Sequence, residues 1–184
     1  MAIQTGKRGR PRAITSDMLA EAACELFLEQ GYEATNVAEI AQRAGIARSS
    51  FFNYASGKAE LLWRSLDERI ASADDALPAR EVIRSLAVGF APDALALALA
   101  NAEAMQIEEH LEREGALRMK RIADLAARAL RREGADPLAA QVRGGAFGAA
   151  VLAAISTWAA SGAGSAPLEE QLDRALAVLE EPSR

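Results

Sequence analysis

The sequence predicts an all-α protein, in which an N-terminal three-helix unit with a helix-turn-helix joins a larger C-terminal helical domain. Three observations lead there. About half of the 184 residues are hydrophobic but only 5% are aromatic, and alanine and leucine, which favour helix, supply most of the apolar content. Apolar residues recur at helical spacing and nowhere alternate with a sustained period of two. In "NVAEIAQRAGIARSSFFNY" two short helical runs meet at a tight glycine turn, which is a helix-turn-helix pattern.

Residues 1–14 read as a flexible basic arm. Lys7, Arg8, Arg10 and Arg12 fall within "KRGRPR", and no acid precedes Asp17. Beyond residue 60 acids outnumber bases, so a net charge of −5 conceals a positive N-terminal end. The first helix starts at Thr15 or Ser16, either of which serves as N-cap. Leu19, Ala22, Ala23, Leu26 and Phe27 form its apolar stripe, and Gly31 stops it in a left-handed conformation. Asn36 and Glu39 have capping-box spacing for a second helix. Its inner face is Val37, Ile40, Ala41 and Ala44, and Gly45 ends it. The third run spans 48–54. A fourth extends from Ser56–Gly57 to Ala76, with Leu62, Leu66 and Ile70 on one face. Further helices are expected near 80–90, 93–110, 113–133, 137–161 and 167–180. Asp136–Pro137 marks one start. Domain limits follow as arm 1–14, helix-turn-helix unit 15–58, and a larger helical domain 59–184.

Several function classes are disfavoured. The single Cys24 permits no intrachain disulfide and fits a reducing cytoplasm. His110 is the only histidine. With Glu108, Glu109 and Glu112 around it, it reads as a solvated helix face rather than a metal site. Cys24 and His110 make no visible nucleophile–base pair, and "SGK" lacks the first glycine of a phosphate-binding loop. No enzyme activity and no cofactor is expected. From Gly144 to Leu168 no residue is charged. The run is mostly Ala, Gly, Ser and Thr, which suits a helix buried between helices better than a membrane span.

The run "GIARSSFFNYASGK" places aromatic, hydroxyl, amide and cationic groups together, a mixture suited to duplex DNA. Phe51 packs inward. Arg48 and Ser49, at the helix start, reach base edges, and arginine can grip guanine O6 and N7 together. Ser50, Asn53 and Tyr54 can donate to phosphates. Lys58 stands at the start of the next helix, where free N–H groups also favour phosphate. Thr35 and Asn36 complete the expected contact set, with Phe52 offering apolar contact to a thymine methyl. Arg8, Arg10 and Arg12 are expected in the minor groove, where narrow A·T-rich tracts attract arginine.

The stretch "LAEAACELFLEQGYEATNVAEIAQRAGIARSSFFNYASGKAELL" resembles the DNA-binding domain of TetR-family transcriptional regulators, over roughly residues 14–62. The resemblance implies an all-helical homodimer that usually represses transcription from a palindromic operator and leaves DNA when a small molecule binds. The alternatives are an activator, or an architectural DNA-binding protein without an effector; the acidic C-terminal part disfavours the latter. Where the family commonly has a phosphate-binding tyrosine, this sequence has Phe52. Ala47 replaces the usual Ser or Thr cap of the recognition helix, and Ala55 stands where a large aromatic is common. Phe51–Phe52 and Trp63 are similar to a subgroup that includes the mycofactocin regulators, which implies an apolar effector. Phe90, Met105, Met119, Phe147 and Trp158 are candidates for the effector pocket. Gly144, Gly145 and Gly148, with Leu172 and Leu176, are candidates for the dimer interface, the glycines allowing close approach of a partner helix.

Overall fold

The computed structural model describes residues 15–162 and 165–180, which form eleven helices and no strand. The arm that carries Arg8, Arg10 and Arg12 lies outside the described residues.

Helix α1 (Ser16–Gln30) starts at Thr15, whose hydroxyl accepts from the Met18 N–H at 3.3 Å. It stops at Gly31, but with φ 83° and ψ 161° rather than the expected left-handed helical values. That region is open essentially to glycine alone. Helix α2 (Val37–Arg43) has a complete capping box. The Glu39 N–H donates to Asn36 Oδ1 at 3.1 Å, and the Asn36 N–H donates to Glu39 Oε2 at 2.9 Å. Gly45, at φ 74°, then turns the chain.

Helix α3 (Arg48–Phe51) is shorter than the expected 48–54. Ala47 gives it no side-chain cap, and beyond Phe51 the chain continues in turns. The expected helix to residue 76 is instead two, α4 (Lys58–Leu62) and α5 (Arg64–Ser72), interrupted at the buried Trp63. Helices α6 (Ala79–Ser85), α7 (Asp93–Ala100) and α8 (Ala102–Met105) follow.

The expected helix 93–110 also breaks. The Tyr32 N–H takes the Met105 carbonyl at 2.9 Å, and Gln106 adopts φ 55°, the only positive φ at a non-glycine residue among those described. A carbonyl drawn sideways by another element cannot extend its own helical ladder. Helix α9 (Glu108–Arg132) therefore starts five residues earlier than the sequence suggested. Helix α10 (Pro137–Ala160) starts as expected, with Asp136 accepting from the Ala139 N–H at 3.0 Å, and α11 (Leu168–Val178) closes the fold.

One buried apolar cluster runs without interruption from Leu19 in α1 to Leu176 in α11. The N-terminal unit thus shares its core with the rest of the described chain. Within that core Cys24 is 1% exposed and its thiol donates to the Ala94 carbonyl at 3.2 Å. Burial pushes the Cys24 thiol up to about 12, which leaves little thiolate for reaction. Helix α10 is long and apolar enough by composition to cross a membrane. Here one face of it packs against α7, α9 and α11.

Candidate nucleic-acid interface and ligand groove

The helix-turn-helix is fixed by polar clamps around an apolar plug. Phe51 is fully buried among the core residues of α1 and α2, a burial worth ~2–3 kcal/mol. Arg43 bridges Glu25 at 2.9 Å and Glu29 at 2.7 Å, tying α2 to α1. Its hydrogen bond holds the Glu29 carboxyl below the usual carboxylate range. Because Phe51 points inward, Arg48, Ser49, Phe52 and Asn53 remain exposed on the outer side, while Ser50 and Tyr54 are half-buried. Phe52 is 54% exposed and rests its ring edge on Phe51 at 5.6 Å.

Two residues expected at DNA are engaged elsewhere. Thr35 is 1% exposed, and its hydroxyl donates to the Gly31 carbonyl at 2.8 Å. It closes the end of α1, and no hydroxyl is left at the surface. The Lys58 ammonium donates to the Tyr32 and Thr35 carbonyls at 2.6 and 2.7 Å and lies 4.0 Å from the centre of the Tyr32 ring. Burial lowers its pKa. Lys58 braces the α1–α2 turn from α4 instead of presenting a free charge. Asn36 is exposed, with its Oδ1 committed to the cap of α2.

Tyr32 is the junction between the N-terminal unit and the rest. Its ring packs on Phe27 at 5.1 Å and on His110 at 4.1 Å. His110, expected on a solvated face, also meets Glu33 at 3.2 Å and Arg113 at 3.1 Å. No metal-binding group of side chains occurs among the described residues.

A groove of about 470 Å³ lies between α9 and α10, within the size range of small-molecule sites. Trp63, Leu99, Leu111 and Gly115 line it together with Glu108, Glu112 and Met119 of α9 and Leu152 and Ser156 of α10. Of the five residues expected at a pocket, Met119 alone is there. Met105 and Trp158 are core, and Trp158 donates its N–H to the Ala166 carbonyl at 2.9 Å. Phe147 is half-buried between the main core and a smaller apolar cluster of Ala79, Val82, Leu125, Ala129, Leu130 and Ala140. Phe90 borders a void of about 10 Å³, too small for an organic ligand.

These walls leave little trace in the sequence, because Gly115 and Ala116 are small and Glu108 and Glu112 look like ordinary solvated residues. Their α9 spacing of four was the available signal. Behind the groove, Arg118 is 2% exposed and grips Asp67 through two nitrogens at 2.6 and 3.1 Å, with Glu114 as a further partner. This network pins α9 to α5. The Trp63 indole N–H is the only buried side-chain polar atom without a hydrogen-bond partner among the described residues, at a cost of ~1–3 kcal/mol.

Most of the expected dimer residues face their own chain. A Cβ on Gly144 would stand 2.5 Å from the Ala123 carbonyl oxygen, and one on Gly148 would stand 2.5 Å from that of Met119. Both glycines therefore serve the α9–α10 contact, not a partner helix. Leu172 and Leu176 are buried at 2% and 0% exposure in the subunit core. Gly145 is exposed, with nothing near its Cβ position.

Comparison with known proteins agrees with this architecture. The chain is 37% identical over 73 residues to the uncharacterized HTH-type transcriptional regulator YdeS of Bacillus subtilis, covering 39% of this chain and 35% of YdeS. It is 29% identical over 89 residues to the putative mycofactocin biosynthesis transcriptional regulator MftR of Mycobacterium tuberculosis, covering 45% of each. The chain thus spans under half the length of either relative. The solved structure of the dihydroxyacetone kinase operon activator DhaS superposes with a TM-score of 0.58 over 92% of this chain and 96% of DhaS, at 18% identity, a likeness of fold. Residues 19–64 match the family of bacterial regulatory proteins, tetR family. The likeness to that family is one of the N-terminal helix-turn-helix unit.

Proposed function

We propose that the protein is a cytoplasmic transcriptional regulator that binds a palindromic operator as a homodimer, represses there, and responds to a small molecule in the α9–α10 groove. One observation carries the DNA-binding reading. Burial of Phe51 leaves Arg48 and Ser49 at the start of α3, and Phe52 and Asn53 just past its end, exposed together; the start of the recognition helix is the end that enters a major groove in this motif. The regulator names of the relatives support a non-enzymatic role.

Selection of operators from random duplexes tests it. Enriched sites should be palindromic, and Arg48→Ala should relax preference at one or two base pairs per half-site, costing about 1–3 kcal/mol. If no palindrome is enriched, the reading fails. Unaltered preferences after Arg48→Ala would make Ser49 or Asn53 the reader.

The dimer reading rests on the face of α10 that carries Gly145, not on the one that carries Gly144 and Gly148. Leu138, Val142, Gly145 and Ala149 follow one another by four, three and four residues along the exposed side of α10, with Leu138 72% and Val142 65% exposed. Uncharged residues at that spacing form a helix-pairing seam. Val142→Glu should yield a folded monomer by light scattering, with operator affinity lost. A dimer that persists in this variant would exclude the seam.

Ligand response is supported by the position of the Ile107–Glu112 segment. Glu108, Leu111 and Glu112 line the groove, while His110 of the same turns holds Tyr32 of the DNA-binding unit. A ligand that shifts this segment shifts the turn that Lys58 and Thr35 brace.

A further inference from the structure

We infer that reading DNA and holding it are divided between two parts of the chain. The folded helix-turn-helix unit reads bases, while Lys7, Arg8, Arg10 and Arg12 supply nearly all of the attraction to phosphate. The inference rests on the reading of the unit as a binder of duplex DNA and adds where its affinity comes from. Residues 15–62 hold seven acidic and three basic side chains, a net charge of −4. A unit of that sign is repelled by a duplex, because the salt-dependent part of DNA affinity comes from cations that displace counterions from phosphates.

Two of the three bases are spent within the fold. Arg43 bridges Glu25 at 2.9 Å and Glu29 at 2.7 Å. Drawing it to a phosphate would leave both carboxylates uncovered. The Lys58 ammonium is held by the Tyr32 and Thr35 carbonyls at 2.6 and 2.7 Å. Only Arg48 is exposed and without a partner, and it stands at the start of α3, the end that meets base edges in this motif. Ser49 and Asn53 are exposed as well. As neutral donors they can fix register on a phosphate, but they displace no counterion. Among the other described residues the only cation without a partner is Arg143. It lies on α10, which packs against α7, α9 and α11.

The missing charge stands just ahead of α1. Residues 1–14 contain four cations and no acid, and they bring the charge of residues 1–62 to zero. Eight residues separate Lys7 from Thr15, a span of at most about 28 Å. That equals about eight phosphates of one strand at ~3.4 Å each. Three of the four cations are arginines, whose planar fork can bind a phosphate through two N–H groups.

The test is the full chain carrying Lys7→Gln, Arg8→Gln, Arg10→Gln and Arg12→Gln together. The buried core begins at Leu19, so this variant should unfold at the same denaturant concentration as the unaltered chain. Fluorescence anisotropy with a random-sequence duplex and with the selected operator, from about 50 to 200 mM salt, gives the slope of log affinity against log salt. Each cation withdrawn from phosphate removes about 0.9 from that slope. The variant should therefore lose more than half of the slope on both duplexes, while the half-site base preferences stay as they were.

A variant that keeps more than half of the slope on the random duplex overturns the inference. The four cations would then be paired with acids of α1 such as Asp17 and Glu21. Loss of the half-site preferences also overturns it, since base reading would not be confined to the folded unit. The random duplex needs no operator. Failure to select a palindrome would thus refute the regulator reading, and the slope would still decide where the charge acts.

Discussion

The α2–α3 turn and the α8–α9 turn close with the same pair of backbone hydrogen bonds. In the first, Ile46 N–H reaches Ala41 O at 2.8 Å and Gly45 N–H reaches Gln42 O at 3.0 Å. In the second, Ile107 N–H reaches Ala102 O at 3.0 Å and Gln106 N–H reaches Glu103 O at 3.1 Å. The residue with positive φ is Gly45 in one and Gln106 in the other. Gly45 sits in open space, so its conformation is chosen by its own lack of a side chain. Gln106 is held from outside by the Tyr32–Met105 bond, by the fully buried Ile107 beside it, and by the packing of its amide near Gly31. One turn is local chemistry and the other is tertiary structure overriding it.

Breaking the tertiary restraint should have the largest effect. Tyr32→Ala removes the ring shared by Phe27, His110 and Lys58. Denaturant unfolding should show a loss of about 3–5 kcal/mol. A change under 1 kcal/mol would mean that the Tyr32–Met105 backbone bond, which the substitution leaves in place, holds the turn without the ring.

Gly45→Ala leaves every side-chain contact in place and strains only the turn. About 1–2 kcal/mol should be lost, since an L-residue is forced into left-handed space. Operator affinity should fall as well, because this turn aims α3. Gln106→Gly reverses the exchange. Relief of strain is opposed by the greater freedom of glycine when unfolded, so thermal unfolding should show a gain of about 1 kcal/mol or less. A clear loss would show that the glutamine amide contributes more than its backbone costs.

The same contrast decides what was legible in the sequence. Thr15, the Asn36–Glu39 box, Gly45 and Asp136–Pro137 act within a few residues of themselves, and the helix starts and stops they mark are all present. The outward set on α3 was readable for the same reason, since one buried aromatic fixes the rest of so short a helix. The break at Trp63 and the one at Gln106 were not readable, because a buried indole and a backbone bond from 73 residues away cause them. Thr35 and Lys58 were misplaced by their chemistry. A hydroxyl and an ammonium suit phosphate, yet backbone carbonyls of the α1–α2 turn lie nearer. The groove was hidden most fully, since its floor is defined by the smallness of Gly115 and its rim by charges typical of any helix surface.

Gly148 gives the groove something like a set clearance. The backbone of α10 approaches that of α9 so closely there that a single Cβ would press on the Met119 carbonyl at 2.5 Å, and Met119 is itself part of the groove wall. Ser156, on the opposite wall, lies about 12 Å further along α10. The two helices therefore act as the jaws of a caliper whose gap is zeroed at the glycine. A methyl group inserted at Gly148 would reset that zero, and the width available to a ligand would change although no residue touching it had been altered.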